Sequence, residues 1–93
     1  MNKQGADKLR AHRVELVNNI DSALLTRLLD HMYEKQILLG EDIEIIKSKS
    51  TSVDRARALV DVIPTRGPSA FGTFVEALKE NNCGWLVDKL STS

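Results

Sequence analysis

Two histidines, one cysteine and a pair of adjacent carboxylates are the side chains equipped for chemistry. His12 and His31 are natural metal ligands, yet neither has a Cys or a second His at ligand spacing. A zinc ion needs several donors converging at about 2 Å, and sequence spacing supplies no such set. Cys83 would need a nearby His with an orienting carboxylate to become a nucleophile. It stands instead directly before Gly84 in a connector, so a structural thiol is expected, and a lone cysteine allows no intrachain disulfide. Glu41 and Asp42 are neighbours in sequence, so on a helix they diverge by roughly 100° and cannot share a proton. The five glycines never fall at a phosphate-cradling spacing. Met32 and Tyr33, beside a leucine run, read as core packing rather than a ligand box. No active site, cofactor or metal site is expected.

The elements that carry these residues read as helices. Four aromatic residues (Phe71, Phe74, Trp85 and Tyr33) and few alternating β-branched runs argue against a sheet. Over 6–20, Leu9, Leu16, Val17 and Ile20 share a face that His12 and Arg13 interrupt, which implies a bend. Asp21 or Ser22 caps a second helix carrying Leu24, Leu25, Leu28, Leu29 and Met32 to about Lys35. An apolar connector, 36–40, leads to a short third helix over 41–48, with Ile43 and Ile46 inward and carboxylates near its positive end. Thr51 with Asp54 resembles a capping box, opening a fourth helix that buries Val53, Ala56, Leu59, Val60 and Ile63 before Pro64 ends it. Pro68 suits the first position of a fifth helix with Ala70, Phe71, Phe74, Val75 and Leu78 inward. Gly84 opens a sixth, with Trp85, Leu86, Val87 and Leu90. Six helices with short connectors imply one compact antiparallel bundle.

Charge is the remaining signal. Thirteen Lys plus Arg balance thirteen Asp plus Glu, for a net charge of zero over 93 residues. The length suits one domain spanning 1–93, which hides roughly 60–65% of its unfolded surface. Zero net charge argues against bulk attraction to nucleic acid or an anionic membrane. A small helical DNA-binding module would need a recognition helix dense in basic and amide side chains, and none is present. The distribution is uneven, however. Arg10 and Arg13, three apart on the first helix, project from one side with Lys8 nearby. Arg55 and Arg57 on the fourth helix diverge, so one of the two joins a given patch. Asp30, Glu34, Glu41, Asp42 and Glu44 lie on the second and third helices. If the first and fourth helices are neighbours, the chain carries a basic face and an acidic face.

Three stretches carry a family resemblance. DRARALVD (54–61) is similar to the fourth helix of caspase prodomains. PTRGPSAF (64–71), with Phe74, Ala77 and Leu78, resembles a segment of caspase and adaptor members. LDHM (29–32) followed by Ile37 and Leu38 resembles the second-to-third helix junction of the apoptosome scaffold's domain. In order and spacing, over about residues 6 to 90, the chain resembles a caspase recruitment domain of the death-fold superfamily. The resemblance implies an all-α, six-helix antiparallel Greek-key bundle with a bent or broken first helix. It implies homotypic association, a basic patch on the first and fourth helices meeting an acidic patch on the second and third helices of the next domain. By position, Arg10, Arg13 and Arg57 fall where basic-patch arginines occur, and Asp30, Glu41 and Asp42 where acidic residues occur. Ala11, Ser52 and Val53 replace arginines found in an apoptotic initiator caspase, and Lys35 replaces an acid.

The partner implied is another domain of the same family, in a caspase, an adaptor or a scaffold. Recruiting and clustering a caspase is the implied role, most simply as a caspase prodomain, with an adaptor or decoy as the alternative. Two opposed faces on one molecule also permit self-association into open helical filaments. A cytoplasmic setting is expected, with no nucleic acid, membrane or cofactor as partner.

Overall fold

The computed structural model describes residues 3–91, with side chains from 7 to 90. The first helical stretch is two helices, α1 (Lys3–Ala11) and α2 (Arg13–Asn19), which meet at His12 with φ −110° and ψ 17°. The break lies where the sequence implies a bend. His12 N–H still reaches the Lys8 carbonyl at 3.1 Å, and the His12 carbonyl accepts from Leu16 N–H at 2.9 Å. The joint is therefore hydrogen-bonded on both sides, and Leu9, Leu16, Val17 and Ile20 all reach the core.

Helix α3 (Ser22–Glu34) starts at Asp21, whose carboxylate accepts from Leu24 N–H at 2.8 Å, satisfying an otherwise unpaired donor. Its apolar stripe of Leu24, Leu25, Leu28, Leu29 and Met32 is buried, with Met32 wholly so. Tyr33 points the other way and is exposed. Only Met32 of that pair belongs to the core. Gln36 takes a left-handed conformation, φ 63°, to turn the chain. In the connector Leu38 is buried while Leu39 stays outside.

Helix α4 (Gly40–Lys47) begins one residue earlier than the sequence suggests. Thr51 Oγ1 accepts from Asp54 N–H at 3.0 Å and starts α5 (Ser52–Val62). The Asp54 carboxylate takes Arg57 rather than completing the return half of the expected capping box. Val53 does not join the α5 stripe. It sits in the first turn, beyond the edge of the core, and is exposed. Ala56, Leu59, Val60 and Ile63 are buried as the spacing requires. Pro64 ends the α-helix at Val62 by tightening the chain into a 3-10 turn, Ile63–Arg66.

Gly67 follows at φ +95°, a conformation that L side chains rarely adopt. Ala70 N–H then bonds the Gly67 carbonyl at 3.3 Å, so Pro68 and Ser69 belong to the turn. Helix α6 (Ala70–Glu80) therefore opens two residues after the proline expected to lead it. Asn82 makes the last left-handed turn, φ 62°, before α7 (Gly84–Ser91).

Among the described residues the structure is all-helical, with seven α-helices because the first is broken in two. No helix is long and apolar enough to cross a membrane. Helix α2 packs on α5, α3 on α6, α4 on α5 and α7 on α6, while the 3-10 turn bridges α1, α5 and α6. The α2–α5 contact places the first and fourth expected helices side by side.

Candidate protein–protein interface

Because α2 lies along α5, the arginines of the two helices converge. Arg13 lines two concavities. One, about 210 Å³, is walled by Leu9, Arg10, Val60, Asp61 and Pro64. The other, about 450 Å³ and wider, includes Ile45, Lys49, Asp54, Arg57 and Asp61. Arg10, Arg13 and Arg57 thus share one face, joined by Lys49. Arg55 lines neither hollow and donates from Nε to the Lys49 carbonyl at 2.9 Å. Of the two diverging α5 arginines, Arg57 is the one on this face.

The cations are held to different degrees. Arg10 is 3.6 Å from Asp7 and its side chain is 79% exposed. Arg57 meets Asp54 at 3.0 Å, one helical turn away. Arg13 donates from Nε and Nη2 to both oxygens of Asp61, at 2.7 and 2.8 Å. These bonds to Arg13 hold the Asp61 carboxyl below the usual carboxylate range, although partial burial opposes them, and they raise the Arg13 guanidinium in turn. Asp61 was invisible as a site residue in the sequence, since its link to Arg13 spans 48 positions.

On the opposite sign, Asp30 and Glu34 of α3 and Glu41 and Glu44 of α4 are exposed. Among the described residues none of these four forms an ion pair. Asp42 is placed differently. It is the one buried charged residue among those described, 7% exposed. One carboxylate oxygen accepts from Leu39 N–H at 2.9 Å and the other takes the Arg66 guanidinium. It fixes the start of α4 and ties it to the 3-10 turn, so its charge is spent inside the domain. Exposed apolar side chains accompany both signs: Tyr33 and Leu39 beside the carboxylates, Ile45 and Val14 near the arginines.

Folding also assembles a cluster that spacing cannot reveal. His31, 13% exposed on α3, has Nε2 at 3.3 Å from Glu76 and Nδ1 at 3.8 Å from Glu80, both on α6. These donor atoms lie within 4.8 Å of one another, a geometry that can accept a cation. One imidazole and two exposed carboxylates are one ligand short of a closed tetrahedral zinc set. The group bridges α3 and α6 through these polar contacts. Glu15, held between Lys89 at 2.9 Å and His12 at 3.7 Å, bridges α2 to α7; the bond to Lys89 lowers its pKa most. Cys83 has its thiol pushed up by burial and, secondarily, by Asp21, so the reactive thiolate is disfavoured.

Comparison with known proteins places the chain in a family. The family model described as caspase recruitment domain matches residues 6–93. The chain is 36% identical over 90 residues to caspase-2 of Gallus gallus, covering 97% of this chain and 20% of that protein. It is 35% identical over 80 residues to caspase-1 of Mus musculus, covering 84% of this chain and 20% of that protein. It is also 27% identical over 73 residues to receptor-interacting serine/threonine-protein kinase 2 of Bos taurus, 78% of this chain and 14% of the kinase. The chain spans about a fifth of the length of the caspases it matches. An all-helical bundle and a family match along almost its whole length make this chain a member of the caspase recruitment domain family.

Proposed function

We propose that the domain associates with other domains of its family by pairing its basic face with an acidic face, and that it thereby recruits and clusters a caspase. The observation that carries this is the α2–α5 packing. It brings Arg13 and Arg57 together, and α1, packed on the 3-10 turn, adds Arg10 beside Arg13, while Asp30, Glu34 and Glu41 stand exposed on α3 and α4. Asp42 supports the acidic side from behind by setting where α4 begins. Arg55, hydrogen-bonded to Lys49, flanks the basic side. The reading includes a six-helix Greek-key order, with the broken first helix counted as one, and the all-helical architecture is consistent with it.

Each exposed ion pair contributes only about 0.2–1 kcal/mol, so one contact is weak. Because the two faces differ, each copy has a free face after pairing, and contacts repeat into an open helical array unless the rotation closes. Many weak contacts in one array act together through effective concentration. The caspase relatives favour a caspase prodomain, and a cytoplasmic setting without nucleic acid or membrane is part of the same proposal. An adaptor or decoy is the second reading, supported by the similarity to a stretch of a protein that is not a caspase.

Sedimentation velocity at about 0.05 and 0.5 M salt tests the charge pairing, since screening at the higher salt is severe. Association should weaken with salt. Arg57→Glu and Glu41→Lys should each weaken it at least about tenfold, with helical circular dichroism unchanged. Association that ignores salt and both reversals contradicts the reading.

A further inference from the structure

The arginine at the centre of the basic face is already engaged. Arg13 lines both concavities, and so does the Asp61 carboxylate that it grips at two points. An anion approaching from either hollow therefore meets a guanidinium whose Nε–Nη2 edge is occupied. Among the described residues, Arg10 and Arg57 are each held by a single acid within one turn of their own helices. A two-point Arg–carboxylate fork is geometrically selective in a way that a single contact is not. Asp61 also removes one charge from a face where Arg10, Arg13, Lys49 and Arg57 stand against Asp54 and Asp61.

We infer that Asp61 is the specificity-determining acid of the basic face: it holds the guanidinium fork of Arg13 in the lone domain, and a carboxylate of a second copy must displace it. This rests on the basic-face reading above. The occupant is the exposed Asp30, Glu34 and Glu41 set of another copy, because it offers the same chemical group and the chain as a whole carries no net charge to repel itself. The exchange replaces one two-point carboxylate by another. Its gain comes from the neighbouring Arg10 and Arg57, each of which holds a single exposed acid on its own helix and meets a second in the assembly. A surface that offers a single carboxylate without that support does not win the exchange, so Asp61 raises the concentration at which association begins. The hydrogen bonds from Arg13 lower the Asp61 carboxyl below the usual carboxylate range, so Asp61 is ionised and the lock is closed at neutral pH.

The test compares the whole chain with Asp61→Asn, Asp61→Ser and Arg13→Glu by sedimentation velocity across protein concentration. The two Asp61 variants should self-associate about two- to fivefold more tightly, the ratio that corresponds to releasing one exposed pair. Their helicity should be unchanged, and Arg13→Glu should abolish association. Two Asp61 variants that associate as the parent does, or more weakly, while Arg13→Glu still abolishes association, overturn the lock and leave the basic face standing. If Arg13→Glu associates normally, the basic-face reading itself fails, and the lock with it.

Discussion

Phe74→Ala is expected to remove about 3–5 kcal/mol of stability, the range for emptying a large aromatic from a packed interior. Phe74 is wholly buried on α6, the helix that packs against α3, α7 and the 3-10 turn. Its loss leaves a void where several elements meet, and helices pinned by other contacts cannot collapse to fill it. Domains of this size have only about 5–15 kcal/mol in total, so the variant should sit near its folding threshold. A thermal melt followed by circular dichroism should fall by more than about 12 °C, at about 4–8 °C per kcal/mol. Phe71, one turn earlier and half-buried, should cost far less. A Phe74→Ala melt within about 4 °C of the parent would mean that α6 is not the centre of the core.

Asp42→Ala should be the most damaging change among the acidic residues, at about 2–3 kcal/mol. The carboxylate does two things from a buried position: it accepts Leu39 N–H at the start of α4 and receives the Arg66 guanidinium from the 3-10 turn. Alanine leaves a helix-start donor without its acceptor and the half-exposed Arg66 without its partner. Asp42→Asn keeps an oxygen for the Leu39 donor and should lose about half as much. Glu41→Ala, one residue away and exposed, should leave the melt within about 0.5 kcal/mol of the parent. The contrast separates the two neighbours by role. Equal melts for Asp42→Ala and Glu41→Ala would show that Asp42 is a surface acid like its neighbour.

Much of the fold can be read from local chemistry. The Asp21 and Thr51 caps, the broken first helix and the stripes of α3, α5 and α6 all follow from short-range rules about hydrogen-bond donors and helical period. The misread positions share a cause, which is tertiary geometry acting on helix ends. Val53 has core spacing but lies in a first turn that overhangs the core. Pro68 has the backbone for a helix start, yet Gly67 at φ +95° spends it on a turn. The surface is less legible still. Glu41 and Asp42 are adjacent acids, and only the fold decides that one is exposed and the other buried against Arg66. Arg13–Asp61 and His31–Glu76 join residues 48 and 45 positions apart, a separation that periodicity cannot bridge. The sequence shows which helices are charged. Which charges remain available to a partner depends on the pairs that form between helices.

The central claim is that one copy's arginines meet another copy's acids, and a charge swap tests it most directly. Arg13→Glu spoils the basic face and keeps the acidic one, whereas Asp30→Arg does the reverse. Each variant alone should remain monomeric in sedimentation velocity at a concentration where the parent assembles. Mixed in equal amounts, the intact basic face of one should bind the intact acidic face of the other. Both remaining faces are then spoiled, so assembly should stop at a one-to-one pair. Assembly by either variant alone, or a mixture that stays monomeric, would contradict pairing between these two faces.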